Sequence, residues 1–278
     1  GDAAQVLYSF AGATPANLLT PIAQENFRVL GQSHRLPPEL QEYAERWLSQ
    51  HSPPMMEHRI YRPTEERGII DHSDATWEEP GDLLSEIELH ARVGREVMLL
   101  ASCSYMLAPT IAMLRDAGIP FHNPYRRTQG AWNPGSPESY EAAISLLTGE
   151  GDWWGWGQHL PAKWFNGYKK DAFNKPIAQA LHAEAFQRLS PPADTAWYLE
   201  QALGERKTLA YELLCIKNGW AEKHVIPGTF HSVKGGEADV VILFPDLSPA
   251  AQVEVDGSTE GRDAMVRMFY VGLTRSRD

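Results

Sequence analysis

Thr229-Phe230-His231-Ser232-Val233-Lys234-Gly235-Gly236-Glu237-Ala238-Asp239 runs without a break into Val240-Val241-Ile242-Leu243-Phe244. The second string is apolar, β-branched and of strand length, which predicts a buried strand in an α/β sheet. The first string predicts the loop that feeds it. A loop that reads phosphate wants small residues, free backbone donors and a cation near a strand end. Lys234, Gly235 and Gly236 supply all three. Glu237 is a carboxylate able to accept a ribose hydroxyl or to orient a neighbour. His231 is a neutral donor or acceptor that can couple the loop to a second ligand. Taken alone, Lys-Gly-Gly-Glu is also explained by a plain turn, two glycines before β-branched residues.

Further on stands Met268-Phe269-Tyr270-Val271-Gly272-Leu273-Thr274-Arg275. A guanidinium at Arg275 can pair with phosphate oxygens in a bidentate way and stabilise the charge that develops in phosphoryl transfer. Tyr270 and Val271 read as packing residues, in a strand or at the start of a helix, that set where Arg275 points. An isolated Thr-Arg at this place would instead be a solvated surface pair.

The opposite end begins Gly1-Asp2-Ala3-Ala4-Gln5-Val6-Leu7-Tyr8-Ser9-Phe10-Ala11-Gly12-Ala13. Phe10 is a flat ring of the kind that gains roughly 1–3 kcal/mol for each nucleic-acid base stacked on it. Tyr8 reads as a core residue. Val29-Leu30-Gly31-Gln32-Ser33-His34-Arg35-Leu36-Pro37 follows and leads into a helical pattern with prolines in its first turn.

In this order the four strings resemble signatures of UvrD/Rep-type superfamily 1 DNA helicases. The family patterns are G-D-x-x-Q-x-I-Y-x-W-R-G-A, N-Y-R-S before a helix, T-x-H-x-x-K-G-x-E-x-D-x-V, and Y-V-x-x-T-R. The resemblance implies a RecA-like, P-loop-NTPase-type fold, a parallel sheet flanked by helices with a small helical insertion. It implies an ATP-dependent helicase or translocase that moves on single-stranded DNA, 3′ to 5′. On that reading Gln5 senses the γ-phosphate, and Arg35 and Arg275 are arginine fingers. Lys234, Gly235, Gly236 and Glu237 hold nucleotide, while Phe10, His34, Thr229 and His231 meet DNA. Three departures stand out: Phe10 where tryptophan is common, Ala11 where arginine is common, and His34 in a tyrosine position.

The 278 residues contain no G-x-x-x-x-G-K-[ST] phosphate loop and no Asp-Glu pair after an apolar strand. Phosphoryl transfer needs the phosphate loop, the metal and the finger together. The chain is therefore expected to be the C-terminal portion of the enzyme and inactive alone. ATP with Mg²⁺, single-stranded DNA and a first RecA-like domain would be its partners, with nothing bound to the isolated chain. The alternative is a helicase-like module that binds DNA or a protein without catalysis.

Residues 1–25 are expected to be the tail of the first RecA-like domain, deprived of the sheet on which Leu7 and Tyr8 would pack. Residues 26–148 and 223–278 would form the second RecA-like domain, split by a helical insertion at 149–222. Helices are predicted over 37–50, 81–93 and 105–117, and over 175–189, 193–203 and 207–218 in the insertion. Strands are predicted over 96–101 and 119–121. The acidic stretch Ala250–Gly261 reads as a loop before a last helix. Trp153, Trp154 and Trp156 read as a core or interface plug. Lys163, Lys169, Lys170 and Lys175 read as a solvated helix face.

A net charge of −11 weighs against non-specific duplex binding, which wants clustered cations, and leaves room for a narrow basic groove. Cys103 and Cys215 read as buried thiols of a reducing, cytoplasmic compartment. The 10 histidines show no zinc-site spacing, and no apolar run is long enough to span a membrane.

Overall fold

The computed structural model describes residues 2–8, 11–16, 31–52, 62–126, 132–133, 211, 214–216 and 218–277. Phe10, the tryptophan cluster, the lysine cluster and nearly all of the expected insertion lie outside the described residues. The chain divides into two compact units, one of Gly1–Ile111, Asn123–Arg126 and His224–Asp278, the other of Ala112–His122 and Arg127–Lys223.

The first unit is α/β. Its three strands are β1 (Val97–Ala101), β2 (Val225–Thr229) and β3 (Val240–Leu243), in the order β2-β1-β3, all parallel. The central strand, Val-Met-Leu-Leu-Ala, is buried at every position, as a strand covered on both faces must be. Side chains alternate across the sheet. Met98 and Leu100 stand beside Ile226, Val241 and Leu243, which share their register. All five face a cluster with Leu7, Phe230, Val233, Ala238, Met268, Phe269 and Val271.

Three of those partners belong to α5 (Thr259–Leu273), which Ser258 caps by accepting a bond from the Gly261 amide. Val266 to Gly272 is buried throughout, because this helix is covered on more than one side. Its other cover is α1 (Pro38–His51), whose Leu40, Ala44 and Leu48 recur at helical spacing and are buried. Trp47 Nε1 donates to the Val266 carbonyl at 3.0 Å and Ser52 Oγ to Asp263 at 2.9 Å, locking the two helices together. Pro37 caps α1 and Pro38 fills its first turn. Among the described residues of this unit a further helix before the sheet is α2 (Leu84–Arg92), preceded by a 3₁₀ turn at Gly81–Leu83. A 3₁₀ turn at Ser104–Leu107 leads into α3 (Ala108–Ala117).

Three expectations are corrected. The acidic stretch after Ser248 is α4 (Pro249–Gly257), a helix without a single buried residue. Ser248 caps it, Pro249 sets its first turn, and Gln252 bonds Asp256 one turn on, so local bonds rather than an apolar face make it helical. Ile119-Pro120-Phe121 is not a strand; Phe121 forms only a single bridge. Pro120 offers no N–H, and the neighbouring polar groups turn to Tyr211, whose hydroxyl accepts from Phe121 N and donates to Ile119 O. Cys215 is buried, whereas Cys103 is only half-buried; both are free thiols. Among the described residues no helix is long and apolar enough to cross a membrane.

Candidate functional site

The loop that opens the sequence argument leaves the carboxyl end of β2 and returns to the amino end of β3. Ser232 tightens its start: the Oγ accepts from Thr229 N and donates to Thr229 O, both at 2.9 Å. Thr229 Oγ1 in turn accepts from Ser232 N at 3.3 Å, so this hydroxyl serves the turn. Buried Asn123 donates to the Pro227 carbonyl at 2.8 Å and braces the same corner. Phe230 and Val233 plunge into the core, which leaves Lys234 exposed at the crest. Gly235 has φ +90°, a conformation that disfavours any side chain. Gly236 lies against the Tyr125 ring so closely that a Cβ would overlap it.

Beyond Gly236 the loop zips to the end of α5. Ala238 N donates to Arg275 O and Arg277 N to Ala238 O, at 3.0 and 2.8 Å. Ser276 Oγ adds a bond to Asp239 O. Arg275 closes the zip with its side chain: Nη1 donates to Gly236 O at 3.1 Å, Nε to Val271 O at 2.8 Å and Nη2 to Thr274 Oγ1 at 3.1 Å. The two sequence signatures are thus one hydrogen-bonded body. Arg275 is 2% exposed. Burial first, and then the charge of Arg35, lower its pKa to about 10, with Tyr270, Glu237 and Tyr125 pulling the other way. It stays cationic at neutral pH.

Arg35 is in a different position. It sits in a turn built by Ser33, whose Oγ accepts from the amides of Arg35 and Leu36 just before α1. Its side chain is 24% exposed, and its one ion pair is loose, Nη1 to Glu237 Oε2 at 3.5 Å. Its Nε is buried and meets no acceptor among the described residues. A guanidinium has five N–H donors, and one left buried without a partner costs free energy. Arg35 lines a cavity of about 210 Å³ together with Gln5, Ser33, Gln41, Tyr270 and Thr274. Asp2 and Glu45 line it as well, and each accepts a local bond, Asp2 from Ala4 N and Glu45 from Gln41 Nε2.

The segment 2–8 carries Gln5 to that cavity. Asp2 caps a 3₁₀ turn at Ala3–Gln5, and Arg267 Nε donates to Val6 O at 2.9 Å. Leu7 is buried in the main cluster and Ala4 beside Leu48 and Tyr270. The expectation that Leu7 would lack a core is therefore corrected: the face made by β1, the loop and α5 accepts it. The core reading of Tyr8 is corrected too. Tyr8 is 40% exposed, because the period-two alternation that buries Leu7 turns the next ring outward. Its ring lies 5.8 Å from that of His231, with Lys234 Nζ 5.3 Å from its centroid, within cation–π range. Its hydroxyl donates to the His231 carbonyl. His231 Nε2 is 3.3 Å from Leu7 O. Burial lowers the His231 pKa below its ordinary value; the Leu7 carbonyl opposes this and Lys234 adds to it, so the ring is neutral at pH 7.

The structure thus brings the expected residues into two groups strung along one loop. Arg35, Arg275, Glu237 and Gln5 gather near the cavity; His231 and Lys234 gather with Tyr8. His34 is exposed and belongs to neither group. Sequence reading missed two residues. Tyr125 covers Gly236. Arg277 binds Glu96 Oε2 at 2.6 Å, Asp239 Oδ1 at 2.9 Å and Glu237 Oε1 at 3.4 Å. Only its spacing of two from Arg275 could have drawn notice. Among the described residues no group of three or more His, Cys, Asp or Glu side chains could hold a metal ion. No family model matches the chain, and no curated protein matches it.

Proposed function

We propose that this chain is the second RecA-like part of a UvrD/Rep-type superfamily 1 DNA helicase, supplying the arginine side of an ATP site and part of a single-stranded DNA track. One observation carries the reading: a mostly buried Arg35 that, among the described residues, has no acceptor for its Nε and one ion pair, 3.5 Å long, on a cavity shared with Gln5. Such a group is completed by an anion with several oxygens, and a nucleotide polyphosphate offers them in the planar array a guanidinium matches. Gln5 would contact the terminal phosphate. Arg275 would act from behind, fixing Gly236 and adding positive potential. The phosphate loop and the Mg²⁺ ligands would come from another domain or chain. Closure of that partner on ATP and release after hydrolysis would move a strand across His231, Lys234 and Tyr8.

The second reading is a helicase-like binding module without catalysis. It is favoured by the burial of Arg275, whose guanidinium is bonded to Val271, Gly236 and Thr274, and by Asp2 and Glu45 on the cavity wall. Phosphate release, ATP binding and binding of a fluorescent oligo-dT separate the two. The helicase reading expects no turnover by this chain alone, ATP binding that Arg35→Ala weakens without abolishing, and DNA binding that Lys234→Ala weakens. DNA binding with no ATP binding selects the module. Turnover that survives repurification sinks the division of labour proposed here.

A further inference from the structure

Arg277 does not line the Arg35 cavity, yet its fork reaches three carboxylates. Two contacts are short: Nη2 to Glu96 Oε2 at 2.6 Å, and to Asp239 Oδ1 at 2.9 Å, with Nε also donating to Asp239. Asp239 uses its second oxygen to accept from the Glu96 amide at 2.8 Å, so the base of the fork is tied to the starts of β1 and β3. The remaining nitrogen, Nη1, lies 3.4 Å from Glu237 Oε1. The other oxygen of Glu237, Oε2, is the one 3.5 Å from Arg35. Glu237 is therefore shared between a cation anchored in the sheet and a cation at the cavity. The backbone holds this sharing in place, since Arg277 N bonds Ala238 O, one residue from Glu237.

We propose that Arg277 is the positioning residue of the Arg35 site: by holding one oxygen of Glu237 it prevents that carboxylate from closing a bidentate pair on Arg35, and so keeps Arg35 free to take an anion. A carboxylate with no second cation turns both oxygens to the nearest guanidinium, the geometry that binds arginine most firmly. Arg35 would then be quenched. With Glu237 divided, the Arg35 pair stays long and its donors stay open to phosphate oxygens. The proposal rests on the reading of Arg35 as an anion ligand.

The test is calorimetric titration of inorganic triphosphate into the whole 278-residue chain and its variants. Arg277→Lys keeps the charge and can still pair with Glu96 and Asp239, but one ammonium cannot span three carboxylates. It is expected to weaken triphosphate binding about five- to tenfold, and Glu237→Gln to strengthen it by a similar factor. In the Glu237→Gln background, Arg277→Lys should change affinity by less than about twofold, because its route to Arg35 is gone. Equal losses in both backgrounds overturn the proposal, since a purely structural or long-range role of Arg277 is indifferent to Glu237. Unchanged affinity in Glu237→Gln overturns it as well, and that variant decides alone if circular dichroism shows Arg277→Lys unfolded. A different failure is also visible. If the unaltered chain does not bind triphosphate, or Arg35→Ala binds it equally well, then Arg35 is no anion ligand, and the proposal falls with that reading.

Discussion

Arg35 and Arg275 carry the same side chain and, on the family resemblance, the same task, yet the turn before α1 and the end of α5 treat them differently. At the end of α5 the guanidinium is 2% exposed and bonded to Val271, Gly236 and Thr274. In the turn before α1 it keeps one long pair to Glu237 and a buried Nε without an acceptor. A motif letter states which group is present; it does not state how many of its donors are already spent. On the reading proposed here, the saturated arginine builds the site and the unsaturated one meets the ligand.

The largest expected effect tests this contrast directly. In an assembly that hydrolyses ATP, Arg35→Ala should lower kcat roughly 10³-fold while nucleotide Kd changes far less, since such a finger acts mainly on transition-state charge. Arg275→Ala should lower kcat too, by disordering the loop at Gly236 as well as by removing charge. Near-normal turnover in the Arg35 variant would erase the distinction drawn between the two arginines.

Stability separates them next. Arg275→Ala strands the Gly236 and Val271 carbonyls in the core and should cost about 3 kcal/mol in urea unfolding, whereas Arg35→Ala should cost less than about 1 kcal/mol. Equal losses would mean that Arg35 is as structural as Arg275. Smaller again is the effect at the second group: Tyr8→Ala should weaken oligo-dT binding by roughly 1–3 kcal/mol, the range for one stacked base, and Tyr8→Phe should largely restore it. DNA binding indifferent to Tyr8 would leave Phe10 as the better candidate for stacking.

The smallest effect is a pH slope. The folded-state pKa of His231 is depressed by burial from its ordinary value of 6.5. The unfolded chain therefore binds the proton more readily, and the stabilisation from a neutral His231 is present above pH 6.5 and lost as pH falls through the depressed value. Thermal melts between pH 7.5 and 5, a range chosen to bracket the ordinary histidine value, should fall less steeply for His231→Gln than for the unaltered chain. Parallel slopes would show that other groups carry the acid sensitivity.

Much of the fold was legible where burial imposes a period. The Leu40-Ala44-Leu48 stripe of α1 and the helix before Gly118 carry it, while β1, covered on both faces, is read instead from an unbroken apolar run. α4 was not legible, because a helix with no buried residue has no stripe to read. The small parallel sheet was expected; its order, with β1 between β2 and β3, was not, since strands of similar composition can pair in several ways. At the site, the residues of both signatures were picked out by type, while Tyr8 was misread as core and Arg277 was passed over.

By itself the sequence determined which chemical groups stand near one another along the chain: a lysine and two glycines before a strand, an arginine after a helix, another before a proline. Those facts follow from local spacing and from the apolar periods around them. Only the tertiary structure decided what each group can still do. Burial and hydrogen-bond supply depend on neighbours far away in the chain: Gly236 and Val271 for Arg275, Glu237 for Arg35, Glu96 and Asp239 for Arg277. A donor satisfied by its own protein is structural, and one left unsatisfied can meet a ligand; that balance is set by packing in three dimensions and has no period along the chain.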